Sequence, residues 1–174
     1  MTTIEDTLRE LDRWYNELPG GNERPIFLSK LAILELCGWI ETRFDALIRT
    51  ASVRAGLDQD WVESNIVQRT HGFAYADHFR HMLCRIVGES AVLHVESTFE
   101  QDSPGRLELL KSALGTLWKN RGPLAHSHIA APVATQRIIY APSWSVNQQR
   151  VVAKMIDQFE ASLIKAFGRT IAKP

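Results

Sequence analysis

The stretch Lys119-Asn120-Arg121-Gly122-Pro123-Leu124-Ala125-His126-Ser127-His128 gathers two cations, an amide and two imidazoles within one short segment. An imidazole exchanges a proton near neutral pH. A guanidinium presents a planar fork of donors that suits the oxygens of a phosphate better than the point charge of a lysine does. Together they are the smallest set able to cut RNA without a metal. One group stabilises charge on the phosphoryl oxygens; the other takes the proton of the ribose 2′-hydroxyl or gives one to the leaving oxygen. A single histidine does not easily do both in one step, whereas two copies brought together across a twofold axis supply one base and one acid.

Gly122 and Pro123 decide whether these groups can meet. Proline has no N–H and disfavours helix at the residue before it, so a helix arriving through Trp118 is expected to stop or kink near Arg121. In an unbroken helix Arg121 and His126 would point roughly 140° apart, at about 100° per residue; a break lets both converge. Arg121 would then sit at a helix C-terminus, where the dipole favours a cation. His128 is a second candidate proton carrier, although a plain loop residue is the simpler reading.

The elements that must position this segment read as helices throughout. Thr3 is placed to cap a first helix that runs to about Leu18, with Ile4, Leu8, Leu11, Trp14 and Tyr15 on one stripe. From Pro25 to near Gly56, Leu28, Leu31, Ala32, Trp39, Ile40, Leu47 and Ile48 keep the i, i+3, i+4 rhythm, and Ile33, Leu36, Cys37 and Phe44 widen the stripe. Asp58 opens a short helix through Ile66. After His71-Gly72 another runs from Tyr75 to Val87, and residues 88–102 are helix or loop. Ser103-Pro104 reads as an N-cap with proline at the first helical position, followed by Leu107, Leu110, Leu114 and Leu117. A last helix capped near Ser143 or Ser145 carries Val151, Val152, Met155, Ile156, Phe159 and Leu163. Only Arg137–Tyr140 looks like a strand. The expected fold is all-α, a bundle built on two long antiparallel helices with shorter flanking ones, in one domain spanning residues 1–174.

Composition sets the outer limits. The chain has 174 residues, 45% of them hydrophobic, which suits one domain with a substantial core. Twenty Lys plus Arg balance twenty Asp plus Glu, so any nucleic-acid contact must come from a local patch, not from bulk charge. Cys37 and Cys84 form no CxxC or disulfide framework, which fits a reducing cytoplasm. The N-terminus lacks the form of a secretory signal, and no apolar stretch reaches the ~18 residues needed to span a bilayer. No membrane association is expected. His71, His78, His81 and His94 invite a metal, with His78 and His81 one turn apart, yet no carboxylate or thiol stands at a supporting spacing, so no metal or other cofactor is expected. There is no glycine-rich phosphate loop and no Ser-His-Asp pattern.

The Arg-x4-His spacing of Arg121-Gly122-Pro123-Leu124-Ala125-His126, at the end of an amphipathic helix, resembles the Rx4-6H motif of the HEPN superfamily of α-helical ribonucleases and RNA-binding domains. Leu36-Cys37-Gly38-Trp39-Ile40-Glu41 is similar to the long early helix of its bacterial members, especially those of toxin and phage-defence systems. The resemblance implies a homodimer whose two motifs line a shared cleft and cleave RNA without metal, often as a toxin restrained by an antitoxin. Arg121 would bind phosphate and His126 would be the acid or base. Family members usually place a polar residue directly after the arginine. Here Gly122 stands there, and Asn120, on the other side, is the candidate to take that role. Glu41 is the candidate to orient Arg121 or His126, although an exposed or ion-paired residue beside Arg43 is an equal reading. Lys119 adds a second cation to the motif. A non-catalytic HEPN-like module that binds RNA or protein is the alternative.

Overall fold

Residues 3–18, 24–126 and 140–170 are described in a computed structural model. Every regular element among them is helical, so the all-α expectation holds. Helix α1 (Ile4–Glu17) starts where a reciprocal cap places it: the Thr3 hydroxyl accepts from the Asp6 N–H at 3.2 Å, and the Asp6 carboxylate accepts from the Thr3 N–H at 3.1 Å. Leu8 and Leu11 are buried, whereas Trp14, expected on the same stripe, is exposed.

Helix α2 (Arg24–Arg54) is the longest, at 31 residues. It ends because Gly56 adopts a left-handed φ of 69°, which lets the Leu57 N–H donate to the Ser52 carbonyl and the Gly56 N–H to the Val53 carbonyl. Its broad apolar face is buried from Ala32 through Ala51, while Leu31 turns to solvent. Asp58 caps α3 (Gln59–Val62), accepting from the Trp61 N–H at 2.7 Å. The chain then widens into a π-helical turn, Glu63–Val67, and a second one, Tyr75–Arg80, leads into α4 (His81–Val87).

After Gly88, α5 (Glu89–Asp102) settles the ambiguity of 88–102 as helix. The expected cap at Ser103-Pro104 is corrected: α6 (Arg106–His126) begins two residues later than Pro104, past a turn with Gly105 at φ 75°. The carboxylate of Glu100, one helix earlier, accepts from the Gly105 N–H and, at 3.3 Å, from the Leu107 N–H. An anion at a helix N-terminus is a stronger cap than a hydroxyl. Helix α7 (Pro142–Thr170) starts at its proline, just before the expected Ser143 and Ser145. Along it Val152, Met155, Ile156, Phe159 and Leu163 are buried as expected, but Val151 faces out. The strand candidate Arg137–Tyr140 lies outside the described residues except Tyr140, whose ring stacks on Trp144 at 4.3 Å.

The chain divides into two compact units, residues 1–39 with 116–151 and residues 40–115 with 152–174. In the first, Arg150 reaches Glu5 at 3.0 Å, tying the start of α1 to α7. In the second, aromatic rings form the centre. Phe44 stacks on Phe79 at 4.0 Å, and Phe159 meets Phe79, Phe99 and Tyr75 edge-on at 5.5, 5.4 and 6.1 Å. Rings packed in this way add to the burial of their large apolar area. The Tyr75 hydroxyl donates to Glu96 at 2.9 Å and Arg80 Nε donates to the same oxygen at 3.0 Å, so the buried polar tip is satisfied. Burial, reinforced by the Glu96 carboxylate, pushes the Tyr75 hydroxyl far above its ordinary range, so it stays protonated.

Candidate functional site

The helix that carries Lys119, Asn120 and Arg121 does not stop at Pro123. Helix α6 is helical through Gly122 and Pro123 to His126, which overturns the expected stop. The reason lies in how little the proline removes and how much the helix gains. Pro123 deletes one backbone hydrogen bond, the one its own N–H would give to the Lys119 carbonyl. Leu110, Leu114, Leu117 and Leu124 meanwhile keep one stripe of α6 buried on both sides of it.

Register then sorts the motif. Arg121 follows Leu117 by four residues and precedes Leu124 by three, so it occupies the buried stripe and is itself half-buried. Its guanidinium carbon lies 5.4 Å from the centre of the Trp118 ring, within cation–π range. Position 126 is turned roughly 140° from Arg121 around the axis. Lys119 is exposed, and Asn120, Gly122 and Pro123 are half-buried. The side chain of His126, and all of His128, lie outside the described residues.

Glu41 lines a polar cluster within residues 40–115, which the sequence reading did not assemble. Glu41, Asp45 and Arg49 recur every fourth residue along α2 and line a polar cavity of about 270 Å³ together with Glu63, Gln68 and His71. The spacing of four was the available signal. What it could not give was the partner across the chain. Arg49 grips Glu63 with two parallel bonds, Nε to Oε2 at 2.9 Å and Nη2 to Oε1 at 3.1 Å, and this holds the Glu63 carboxyl below the usual range. Burial holds Asp45 above it; Glu63 and Glu41 push the same way, against Arg49. A carboxyl whose pKa is raised by folding stabilises the fold only while protonated, and that contribution is lost as pH rises from its unfolded value through its folded one. Asp45→Asn is therefore expected to raise the melting temperature at pH 7 and to leave it nearly unchanged near pH 4. Thermal melts at the two pH values check this, and an equal shift at both would remove the titration from the explanation.

None of the described His, Cys, Asp and Glu residues come together in a group of three able to hold a metal. His78 stacks over Gly72, where an added Cβ would lie 2.6 Å from its Nε2. His71 and His81 are exposed, and His94 edges an apolar cavity of about 240 Å³ lined by Ala55, Ile86, Ala91 and Phe167. Among the described residues no helix is long and apolar enough to cross a membrane.

No protein-family model, curated protein or solved structure matches the chain.

Proposed function

We propose that the chain is a metal-independent endoribonuclease of the HEPN type, active as a homodimer on a site shared by two copies of α6. The observation that supports it is the set Lys119, Arg121 and His126 carried on the last two turns of one helix, with Lys119 open to solvent. Positions 121 and 126 are about 140° apart around that helix, and in this reading a second copy completes the site. One His126 removes the 2′-hydroxyl proton, the 2′-oxygen attacks phosphorus, and the other His126 protonates the departing 5′-oxygen. The products are a 2′,3′-cyclic phosphate and a 5′-hydroxyl, with the arginines holding the phosphoryl oxygens. Two long antiparallel helices, a cytoplasmic setting, a role as toxin or phage-defence effector and restraint by an antitoxin or other regulatory protein belong to the same proposal.

A second reading, a non-catalytic module that binds RNA or protein, draws on the unbroken helix: Arg121 on the buried stripe is also where a packing residue would sit. Incubation of the purified protein with total RNA in excess EDTA separates the two. Cutting that leaves cyclic-phosphate ends is the expected result. A folded dimer that cuts nothing establishes the binding module instead, and cutting abolished by EDTA replaces both with metal chemistry.

A further inference from the structure

The groups that line the polar cavity do not balance in charge. Glu41, Asp45 and Arg49 follow one another at every fourth residue of α2, and Glu63 comes from the π-helical turn across the corner. Three carboxyls therefore surround one guanidinium. Its fork is already given to Glu63 in two parallel bonds, and the Gln68 side chain donates to the same carboxylate. Asp45 is half-buried, with no hydrogen bond among the described residues to hold its charge, and both Glu63 and Glu41 repel that charge.

Asp45 and Arg49 nevertheless have the spacing and order, acid four residues before base, in which a helical ion pair forms. An ionised Asp45 acts on the bridge twice. It repels the Glu63 carboxylate, and it draws the Arg49 guanidinium back towards its own helix. The bridge is weak enough to respond: its side chains are 44% and 37% exposed, so screening by water leaves it worth little more than one added neighbouring charge. Its position gives it leverage, because it ties the turn Glu63–Val67 to α2.

We propose that this corner is a proton-operated latch: with Asp45 neutral, Arg49 clamps Glu63 and holds the π-helical turn against α2, and ionisation of Asp45 loosens the clamp. The direction runs against the ordinary one, in which acid weakens a bridge between a guanidinium and a carboxylate. Burial holds Asp45 above the usual range, so its proton is lost later than usual as pH rises. Glu63, held below that range by Arg49, stays ionised in mild acid. The clamp is therefore tightest in mild acid, loosens as pH rises through the folded pKa of Asp45, and fails in strong acid once Glu63 is protonated. His71 brings an imidazole to the edge of the same cavity, a group that also exchanges protons near neutrality, so the test separates it. The latch does not depend on the nuclease reading.

Backbone hydrogen exchange of the full chain between about pH 4.5 and 8 tests this, with each rate divided by that of an unfolded chain at the same pH. The reporter is the Gln68 N–H, which donates to the Glu63 carbonyl at 3.0 Å and closes the π-helical turn. Its protection is expected to fall by about 2- to 5-fold from the acid to the alkaline end, the effect of one partly exposed charge pair. Asp45→Asn, which keeps the shape of the side chain, is expected to hold the acid value throughout. Glu63→Gln should stay at or below the alkaline value throughout, and His71→Gln should keep the fall. Protection that is flat or rises with pH in the unmodified protein overturns the proposal, as does a fall that survives Asp45→Asn or Glu63→Gln. A fall abolished by His71→Gln overturns it too, by making the imidazole the switch.

Discussion

His126→Ala is expected to lower the rate of RNA cleavage by about 10²- to 10⁴-fold, the usual worth of a positioned proton carrier. The position closes α6, where one substitution disturbs few backbone bonds, so helicity and dimer mass should match the unmodified protein. Arg121→Ala should reduce cleavage as well, by removing charge stabilisation at the phosphoryl oxygens, but it differs in kind. Arg121 stands on the buried stripe of α6 over Trp118, so its loss costs packing too, and a lowered melting temperature is expected beside the lowered rate. Single-turnover cleavage in EDTA, read with thermal melts, checks both variants. If His126→Ala cuts as fast as the unmodified protein, the imidazole is not the proton carrier and the nuclease proposal fails at its centre.

The largest expected effect on the fold is at Gly72. Its φ of 138° lies where side chains rarely go, and a Cβ there would come within 2.6 to 2.8 Å of three atoms of the His78 ring. Gly72→Ala carries a backbone cost of about 1–3 kcal/mol, and the clash adds less, because the half-buried His78 ring is the far end of a side chain that can turn aside. A destabilisation of roughly 1–3 kcal/mol, set mainly by the backbone, is expected. The partition is measurable. If the clash matters, Gly72→Ala in a His78→Ala background costs less than it does alone, leaving only the backbone share. Denaturant unfolding of the four proteins gives the cycle. A Gly72→Ala protein as stable as the original would show that the chain reaches this turn by another conformation.

How much of this was legible in the sequence depended on whether the deciding partner was close along the chain. The Thr3 cap of α1, the Asp58 cap of α3 and the Gly56 stop of α2 each involve neighbours within a few residues, and composition alone points to them. The start of α6 was misplaced because its cap comes from Glu100 on the preceding helix. Pro123 does not end α6, because a local rule about proline is set against a stripe of leucines whose burial no local rule reveals. The consequence reached the site itself: positions 121 and 126, expected on either side of a break, lie on one continuous helix. In the polar cavity, Glu41, Asp45 and Arg49 have helical spacing, but the bond from Arg49 to Glu63 depends on how the chain folds back after Gly56.

The two π-helical turns were not legible at all, because a hydrophobic period near 3.6 cannot register a single extra residue. Each such turn spaces its bonds five residues apart where the flanking helix uses four. Removing one residue from Glu63–Val67 would let the ladder close up as ordinary helix, with no backbone group left unbonded. Everything on one side would swing by about 100° relative to the other, carrying the Glu63 carboxylate out of reach of Arg49. This corner is therefore sensitive to segment length as much as to residue identity, and a shortened variant could keep its helicity while losing the polar cavity.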